Sequence, residues 1–489
     1  MNLDNNIDKI FETLKSLNGN SSDIVTRIIE KNGNRIGYIY LESVSSDDKI
    51  SDFLNKSIIN LDKKKLFDSF CNSVKNSIFN SNLKTCETYD EMFYFLSSGF
   101  TVIVVDKSTK AIVVETRETL DRGIVESTSE TIIRGPKDSF TENHNKNLGL
   151  IRKRIKDSNL WFEDVKVGRR TKTKVTVAYI KDIVPDNKVK KILDDIKKID
   201  IDGILDSGYI RELIERNQKS VFPKVISTER PDQACMSLLN GKIVILVENT
   251  PYVLILPAVL TDFFQSPEDN YQKPFNVSFG RILRVVCFFI SLLTPALYIA
   301  LMTYNHEILP DQLLISLAIQ RDGVPFPTTI EILLFVITFE VLREAEVHVL
   351  SFSGGAMSIV GALILGDAAV AAGIVSPIVI IVVAATSICE LVFYDIDIID
   401  AIREWRILFI ISATFLGIIG FMVAFIIFIA KLASLECLGT PYLTPFSPLN
   451  IRSLKDSVIR VSRKKIKDRP TYLTNNIKRM DDIYEKNNS

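Results

Sequence analysis

The sequence predicts a multidomain membrane protein: a two-module α/β cytoplasmic N-terminal part, an α-helical transmembrane part and a basic C-terminal tail. Three observations carry this. Charges are dense and apolar runs short before Gly280. Long uncharged runs follow, the first from Val285 to Asn305, 21 residues against the about 20 needed to cross a bilayer. From Ile451 to Arg469, eight basic residues accompany two acids, a net charge of +6. The chain as a whole has 489 residues with 59 basic and 59 acidic side chains, so total charge excludes no partner and only its distribution informs. The expected boundaries are 1–145 and 146–275 for the two modules, 276–436 for the membrane part and 437–489 for the tail.

In the first module Arg35–Leu41, Phe100–Asp106 and Ala111–Glu115 read as strands, with a hairpin turn beginning at Asp106-Lys107-Ser108. Asp62–Asn76 and Tyr89–Ser97 read as helices. In the second, Lys174–Ile180 alternates Val175, Val177 and Tyr179 as a strand does. Pro185-Asp186 opens a helix with Val189, Ile192, Leu193 and Ile196 at helical spacing. Asp232 is placed to N-cap a helix through Leu239, ended by Asn240-Gly241, and Ile243–Val247 is a buried strand. Between the modules Arg134-Gly135-Pro136 signals a turn, followed by Phe140-Thr141-Glu142, Asn147 and the basic run Arg152-Lys153-Arg154. Arg134 and Glu142 are candidates for polar contacts between modules. The basic run reads as a solvated face, or as a contact to an acidic neighbour or lipid head groups.

Further uncharged runs cover Ala368–Cys389, with Pro377 as a possible divider, and Ile407–Ala430. Thr328–Val347 is a weaker span carrying Glu331, Glu340, Arg343, Glu344 and Glu346, so it should face protein or water. Arg281 and Arg284 before the first run, and the basic tail, place both termini inside. An even number of spans follows: four fits best, and six is the count if Leu313–Ile319 also inserts. Trp405, between Arg403 and Arg406, reads as an interfacial anchor. Gly354, Gly355, Gly361, Ala362, Gly366, Ala369 and Gly373 make a small-residue segment suited to close helix packing, to re-entry or to lining a pore.

Catalytic patterns are missing. His144, His306 and His348 are scattered, and HExxH, GxxxxGK[ST] and GxSxG do not occur. The six cysteines form no CxxC, which points to reduced, structural thiols. No enzyme, metal, cofactor or nucleic-acid role is expected. The polar N-terminus shows no signal peptide.

Over nearly its whole length the chain resembles the A subunits of bacterial spore germinant receptors, the GerA family. The likeness rests on Ile133-Arg134-Gly135-Pro136 with Phe140-Thr141-Glu142, on Asn147 to Arg154, and on Phe222-Pro223 with Thr228-Glu229-Arg230-Pro231-Asp232. It continues in Leu342-Arg343-Glu344-Ala345, Ser358 to Ala362, Gly366 to Val370, Ala372 to Pro377 and Gly439 to Pro445. The resemblance implies a non-enzymatic subunit in the inner spore membrane, oligomerising into a ring that releases ions. It also implies a transporter-like B subunit that holds the nutrient and a lipoprotein C subunit. The chain departs from the family at Glu346-Val347-His348, where relatives continue Gly-x-Arg-x-Pro, so gating detail does not carry over there.

Glu340 and Glu344 share a helix face, and Arg343 is placed to pair with an acid on a neighbouring helix. Asp367 in a ring would form an acidic collar favouring cations, with Val360 and Leu363 as an apolar constriction one turn away. Two other classes compete: a secondary transporter of the nutrient or ions, and a tethered scaffold. The small-residue pattern has no second copy of the kind inverted repeats produce, which favours the channel.

Overall fold

The computed structural model describes residues 2–19, 21–31, 34–51, 84–117, 130–215, 220–348 and 366–479. Helix α1 (Ile7–Leu17) buries Ile7, Ile10, Phe11 and Leu14 on one face, and Asn6 caps it by accepting from the Asp8 amide at 2.8 Å. Strands β1 (Ile24–Lys31) and β2 (Asn34–Leu41) pair antiparallel, and β3 (Lys84–Cys86), helix α2 (Tyr89–Ser97), β4 (Phe100–Val105) and β5 (Ala111–Glu115) follow. The resulting antiparallel sheet has the order β1-β2-β4-β5-β3. Residues predicted as the helix Asp62–Asn76 lie outside the described residues.

The second module repeats the first. It runs through α3 (His144–Arg154), β6 (Leu160–Val167), β7 (Thr173–Ile180), α4 (Asp186–Lys197), α5 (Ser207–Glu215) and β8 (Ile226–Thr228). It closes with α6 (Pro231–Leu239), β9 (Ile243–Val247) and β10 (Val253–Leu256). Its sheet order is β6-β7-β9-β10-β8, the first order shifted by five, and α3 and α6 occupy the places of α1 and α2. One topology is thus used twice. The expected apolar stripe of α4 is the buried one, Val189, Ile192, Leu193 and Ile196, each contributing roughly 1.5–3 kcal/mol when fully removed from water. All five residues of β9 are buried because helices cover both faces of the sheet. Asp232 does not N-cap α6; Arg230 occupies that position without a side-chain cap, and the Asp232 carboxylate takes Arg230 and Tyr271 as partners instead.

Among the described residues, five helices form the apolar part: α7 (Pro274–Thr303), α8 (Asp311–Arg321), α9 (Thr328–His348), α10 (Pro377–Glu390) and α11 (Ile396–Ser434). By length and composition α7 and α11 are each long and apolar enough to cross a membrane. Yet α11 is not one rod. At Gly417 the backbone leaves the helix (φ 60°, ψ −137°), and beyond it the chain runs back along itself. Trp405 and Phe428 have ring centroids 5.1 Å apart, and Phe409 and Phe421 5.7 Å. In a straight helix Trp405 and Phe428 would lie about 35 Å apart. The uncharged run Ile407–Ala430 is therefore the tip of a helical hairpin, not a single crossing. Glycine is needed there: φ is in the left-handed region, and a Cβ would sit 2.8 Å from Tyr304. Asn305 accepts from the Ile418 amide at 3.2 Å, satisfying a donor that the new helix start exposes. Trp405 packs edge-on to Phe428 inside the hairpin rather than standing alone as an anchor.

Both ends of the hairpin return to the sheets. Arg211 of α5 pairs with Asp397 at 2.6 Å, and Phe222 meets Phe428 at 5.8 Å. At the distal end Tyr304 donates to the Thr414 carbonyl at 2.7 Å. Helix α9 starts distally, where Thr329 lies 3.4 Å from Thr414, and finishes proximally beside Arg406. Helix α10 also starts distally: Glu331, fully buried on α9, accepts from the amide and hydroxyl of its N-cap Ser376, both at 2.9 Å. Second module and bundle share one continuous core, in which Phe222, Phe264, Phe288, Phe393, Phe428 and Tyr442 meet.

The basic tail is woven into this junction. Arg281 of α7 is 2% exposed; it donates to Asp269 at 2.9 Å and to the carbonyls of Asp456 and Ser457 at 2.6 and 3.0 Å. It is thus a buried clamp between α7 and the tail. Lys188 reaches Thr440 at 3.1 Å, and the Thr474 hydroxyl donates to the Ile183 carbonyl.

Candidate functional site

Six charged side chains gather at the proximal end of the bundle. Glu340 and Arg343 come from α9, Glu390 from the end of α10, and Asp400, Arg403 and Arg406 from the first arm of α11. Glu340 accepts from Arg403 at 2.5 Å and from Arg406 at 2.9 Å, and lies 3.1 Å from Arg343. Arg406 also binds Glu390, which lies 3.7 Å from Arg343. Asp400 pairs with Arg403 at 2.7 Å. Glu390 and Arg406 are buried, so each charge there depends on its partners; removing one partner of such a pair costs about 3–5 kcal/mol. The cluster ties three helices together where they meet the sheets.

Beside it lies a largely apolar cavity of 1070 Å³, walled by Val336, Phe339, Ile380 and Val383, with Glu340, Arg343, Glu390 and Arg406 as its charged wall and Asp367 also in its lining. Asp367 is exposed, and Gly366 before it packs close to Ile380. Ala369 packs against the core. Gly373, expected to pack helices, instead ends the helical turn at 366–371: its φ is 65° and its surroundings are open, while Ile374 donates back to the Ala369 carbonyl at 3.0 Å. Glu344 lies on the exposed side of α9. Gly354, Gly355, Val360, Gly361, Ala362 and Leu363 lie outside the described residues.

A second cluster joins the sheets to the bundle. Glu130 accepts from the Thr228 hydroxyl at 2.6 Å and from the Glu229 amide at 3.2 Å. Arg230, 1% exposed, donates to the Pro136 carbonyl at 2.8 Å and to Asp232 at 3.0 Å, and Tyr271 donates to Asp232 at 2.6 Å. Gly135 has φ 140° and touches Tyr271, where a Cβ would lie 2.8 Å from the ring. The Arg134-Gly135-Pro136 turn and the Thr228–Asp232 segment are therefore one site, next to Tyr394 at the root of α11. Burial pushes the Glu130 carboxyl up to about 7, against the pull of its hydrogen bonds from Thr228 and Glu229.

Between the modules Arg152 makes the buried ionic contact, beside hydrogen bonds between Phe162 and the Ser21-Ser22 segment. It is 0% exposed, donates to Asp23 at 3.0 and 3.1 Å and to Ser21 at 3.0 Å, and stacks 4.5 Å over Phe162. Arg154 binds Asp138 and the Leu150 carbonyl. Arg152 and Arg154 of the basic run thus contact acidic neighbours, and Lys153 is exposed. Arg134 and Glu142 are both exposed, and neither makes the predicted contact. Asn147 is buried and braces the loop by accepting from the Thr141 amide at 2.8 Å, and the Phe140 amide donates to the Glu229 carbonyl at 2.7 Å.

Residues 12–472 match the family model described as Bacillus/Clostridium GerA spore germination protein. The chain belongs to the GerA family. Among its relatives, spore germination protein KA of Bacillus subtilis (strain 168) is 37% identical over 456 residues, 92% of this chain and 84% of that protein. Spore germination protein GerLA of Bacillus cereus is 33% identical, covering 97% and 96%. The membrane protein YfkQ of B. subtilis (strain 168) is 34% identical, covering 99% and 95%. The crystal structure of the N-terminal domain of the A subunit of the Bacillus megaterium spore germinant receptor GerK3 is 33% identical, covering 53% of this chain and 98% of that one, with a TM-score of 0.43. In this GerA-family chain four of the segments that carry the likeness supply Arg343 to the first cluster, Pro136 and Arg230 to the second, and Arg152 to the contact between modules.

Proposed function

We propose that this chain is the A-type membrane subunit of a nutrient germinant receptor in the inner spore membrane. It oligomerises, conducts ions when the nutrient is sensed, and works with a transporter-like B subunit and a lipoprotein C subunit. Helices α7, α9, α10 and the two arms of α11 are among an even number of bilayer crossings, with sheets and tail together on the cytoplasmic side. The observation that carries this reading is the paired cluster of Glu340, Arg343, Glu390, Arg403 and Arg406 inside a largely apolar bundle, on the same arm of α11 that Arg211–Asp397 ties to the sheet module. Such charges are expensive in a membrane and mark working parts. A change in the double-sheet part reaches the helices through Arg211–Asp397 and the Glu130–Arg230 cluster.

Asp367 is the candidate for an acidic collar, and Val360 and Leu363 for the constriction. Ion flux from the purified chain in liposomes tests this. Asp367→Asn should lower cation conductance with assembly intact, and Val360→Ala should leak in the resting state. Variants that assemble and conduct like the parent would place the pore elsewhere.

A further inference from the structure

A cleft of 160 Å³ lies between α6 and residues 452–479 of the tail, built from other elements than the ion-pair cluster. Seven basic side chains and three carboxylates line it. Two of the carboxylates already have partners: Asp262 binds Lys242 at 2.6 Å, and Asp456 lies 3.9 Å from Arg281. Arg469 is fixed by the carbonyls of Leu239 at 3.0 Å and Lys478 at 2.7 Å, and Arg479 by the side-chain oxygen of Asn240. Neutral acceptors of this kind hold a guanidinium in place without cancelling its charge. Arg452, Lys455 and Lys465 add exposed cations. Burial lowers the Arg479 pKa, and nearby Arg469 and Arg463 lower it further although Asp456 opposes them. An anion in the cleft would relieve that crowding.

A basic surface is usually only a solvated face, but this one has a location. Gln265 and Asn270, in the segment that leads into α7, form part of the lining. The Asn270 carbonyl accepts from Arg460 at 3.0 Å and from Arg463 at 2.8 Å. In the first turns of α7, Phe275 and Phe279 are 83% and 67% exposed, and Leu449, Ile451 and Ile459 of the tail are exposed as well. Cations beside exposed apolar side chains, at the foot of a long apolar helix, match the two layers of a membrane surface: phosphate outside, acyl chain within.

We infer that this cleft binds a phosphate group at the membrane surface, presented by the head group of an anionic phospholipid or by a soluble phosphate compound. The inference rests on the reading that α7 enters the bilayer. The test uses the full chain in nanodiscs of phosphatidylcholine, with or without phosphatidylglycerol, and hydrogen exchange of the tail as the readout. Phosphatidylglycerol should slow exchange over 450–479. Lys455→Gln with Lys465→Gln, two exposed positions with little risk to folding, should weaken that response on the order of fivefold per charge removed. Protection by inorganic phosphate in neutral discs supports the site with a soluble source. Equal exchange under all conditions, or a variant that responds like the parent, overturns the inference. Alkaline carbonate separates the two levels: a chain stripped from the disc refutes bilayer entry, whereas a retained chain with an indifferent tail refutes only phosphate binding.

Discussion

Replacing Arg152 by methionine should uncouple the two sheet modules. Methionine keeps much of the side-chain volume over Phe162 but removes the guanidinium. Asp23, 2% exposed in its side chain, then keeps only the hydroxyls of Ser21 at 2.8 Å and Ser43 at 3.2 Å. A buried carboxylate stripped of its cation costs about 3–5 kcal/mol. The measurement is urea unfolding of a fragment covering residues 1–270, expected to be soluble and to unfold cooperatively. With a slope of about 2–3 kcal/mol per molar urea for a fragment of this size, the midpoint should fall by roughly 1–2 M. One transition should also separate into two as the modules lose their clamp. Arg152→Met with Asp23→Leu should recover most of the loss, because no charge is then left alone. A midpoint change of less than about 0.3 M, or a double variant as weak as the single one, would refute the assignment of Arg152 as the clamp. Insoluble, unstructured fragment would refute the independent folding of the modules.

Two further outcomes are expected. Single cysteines placed at Glu404 and Lys431 should react with an impermeant maleimide from the same side of a sealed membrane, because the hairpin brings both back to its base; reaction from opposite sides would mean that α11 crosses once. Glu130→Gln should change how stability depends on pH. The Glu130 pKa is raised from 4.5 to about 7, so its contribution is full below 4.5 and lost as pH rises through 7. The neutral variant escapes that loss and should be more stable above pH 7 by up to roughly 3 kcal/mol. Melting of the full chain in detergent at pH 5 and pH 8 checks this, and a variant-to-parent difference independent of pH would rule it out.

Much of the double-sheet part was legible because its signals are local. The apolar stripe of α4, the run of β9 and the span of α2 each depend on neighbours within a few positions. What escaped depends on distance. Arg152 belongs to a basic triplet that reads as surface, and its burial is set by Asp23, 129 positions away. Asp232 has the chemistry of an N-cap, but Arg230 and Tyr271 offer its carboxylate stronger partners than a backbone amide does. The repeated topology stayed hidden because β7 and β8 are joined through two helices, and strand order is not a property of any short window. At the bundle, Arg343 was placed to pair with an acid on a neighbouring helix, and its proximity to Glu390 is of that kind. The reversal at Gly417 left no trace in hydropathy, since both arms and the turn between them are apolar.

The clamp of Arg281 on the tail sets an order of events during synthesis. The second sheet and α7 emerge from the ribosome long before Asp456 and Ser457, whose carbonyls Arg281 needs, and before Thr440 and Thr474, which close over Lys188 and Ile183. Domains generally fold as the chain is made, N-terminal units first. Here the unit that folds first waits for residues 440–474 to cover it. A nascent chain halted after α11 leaves Arg281 and the sheet flank uncovered, the kind of exposed feature that quality-control proteases recognise. A chain that stops before residue 440 thus leaves open the joint between its sheets and its apolar helices.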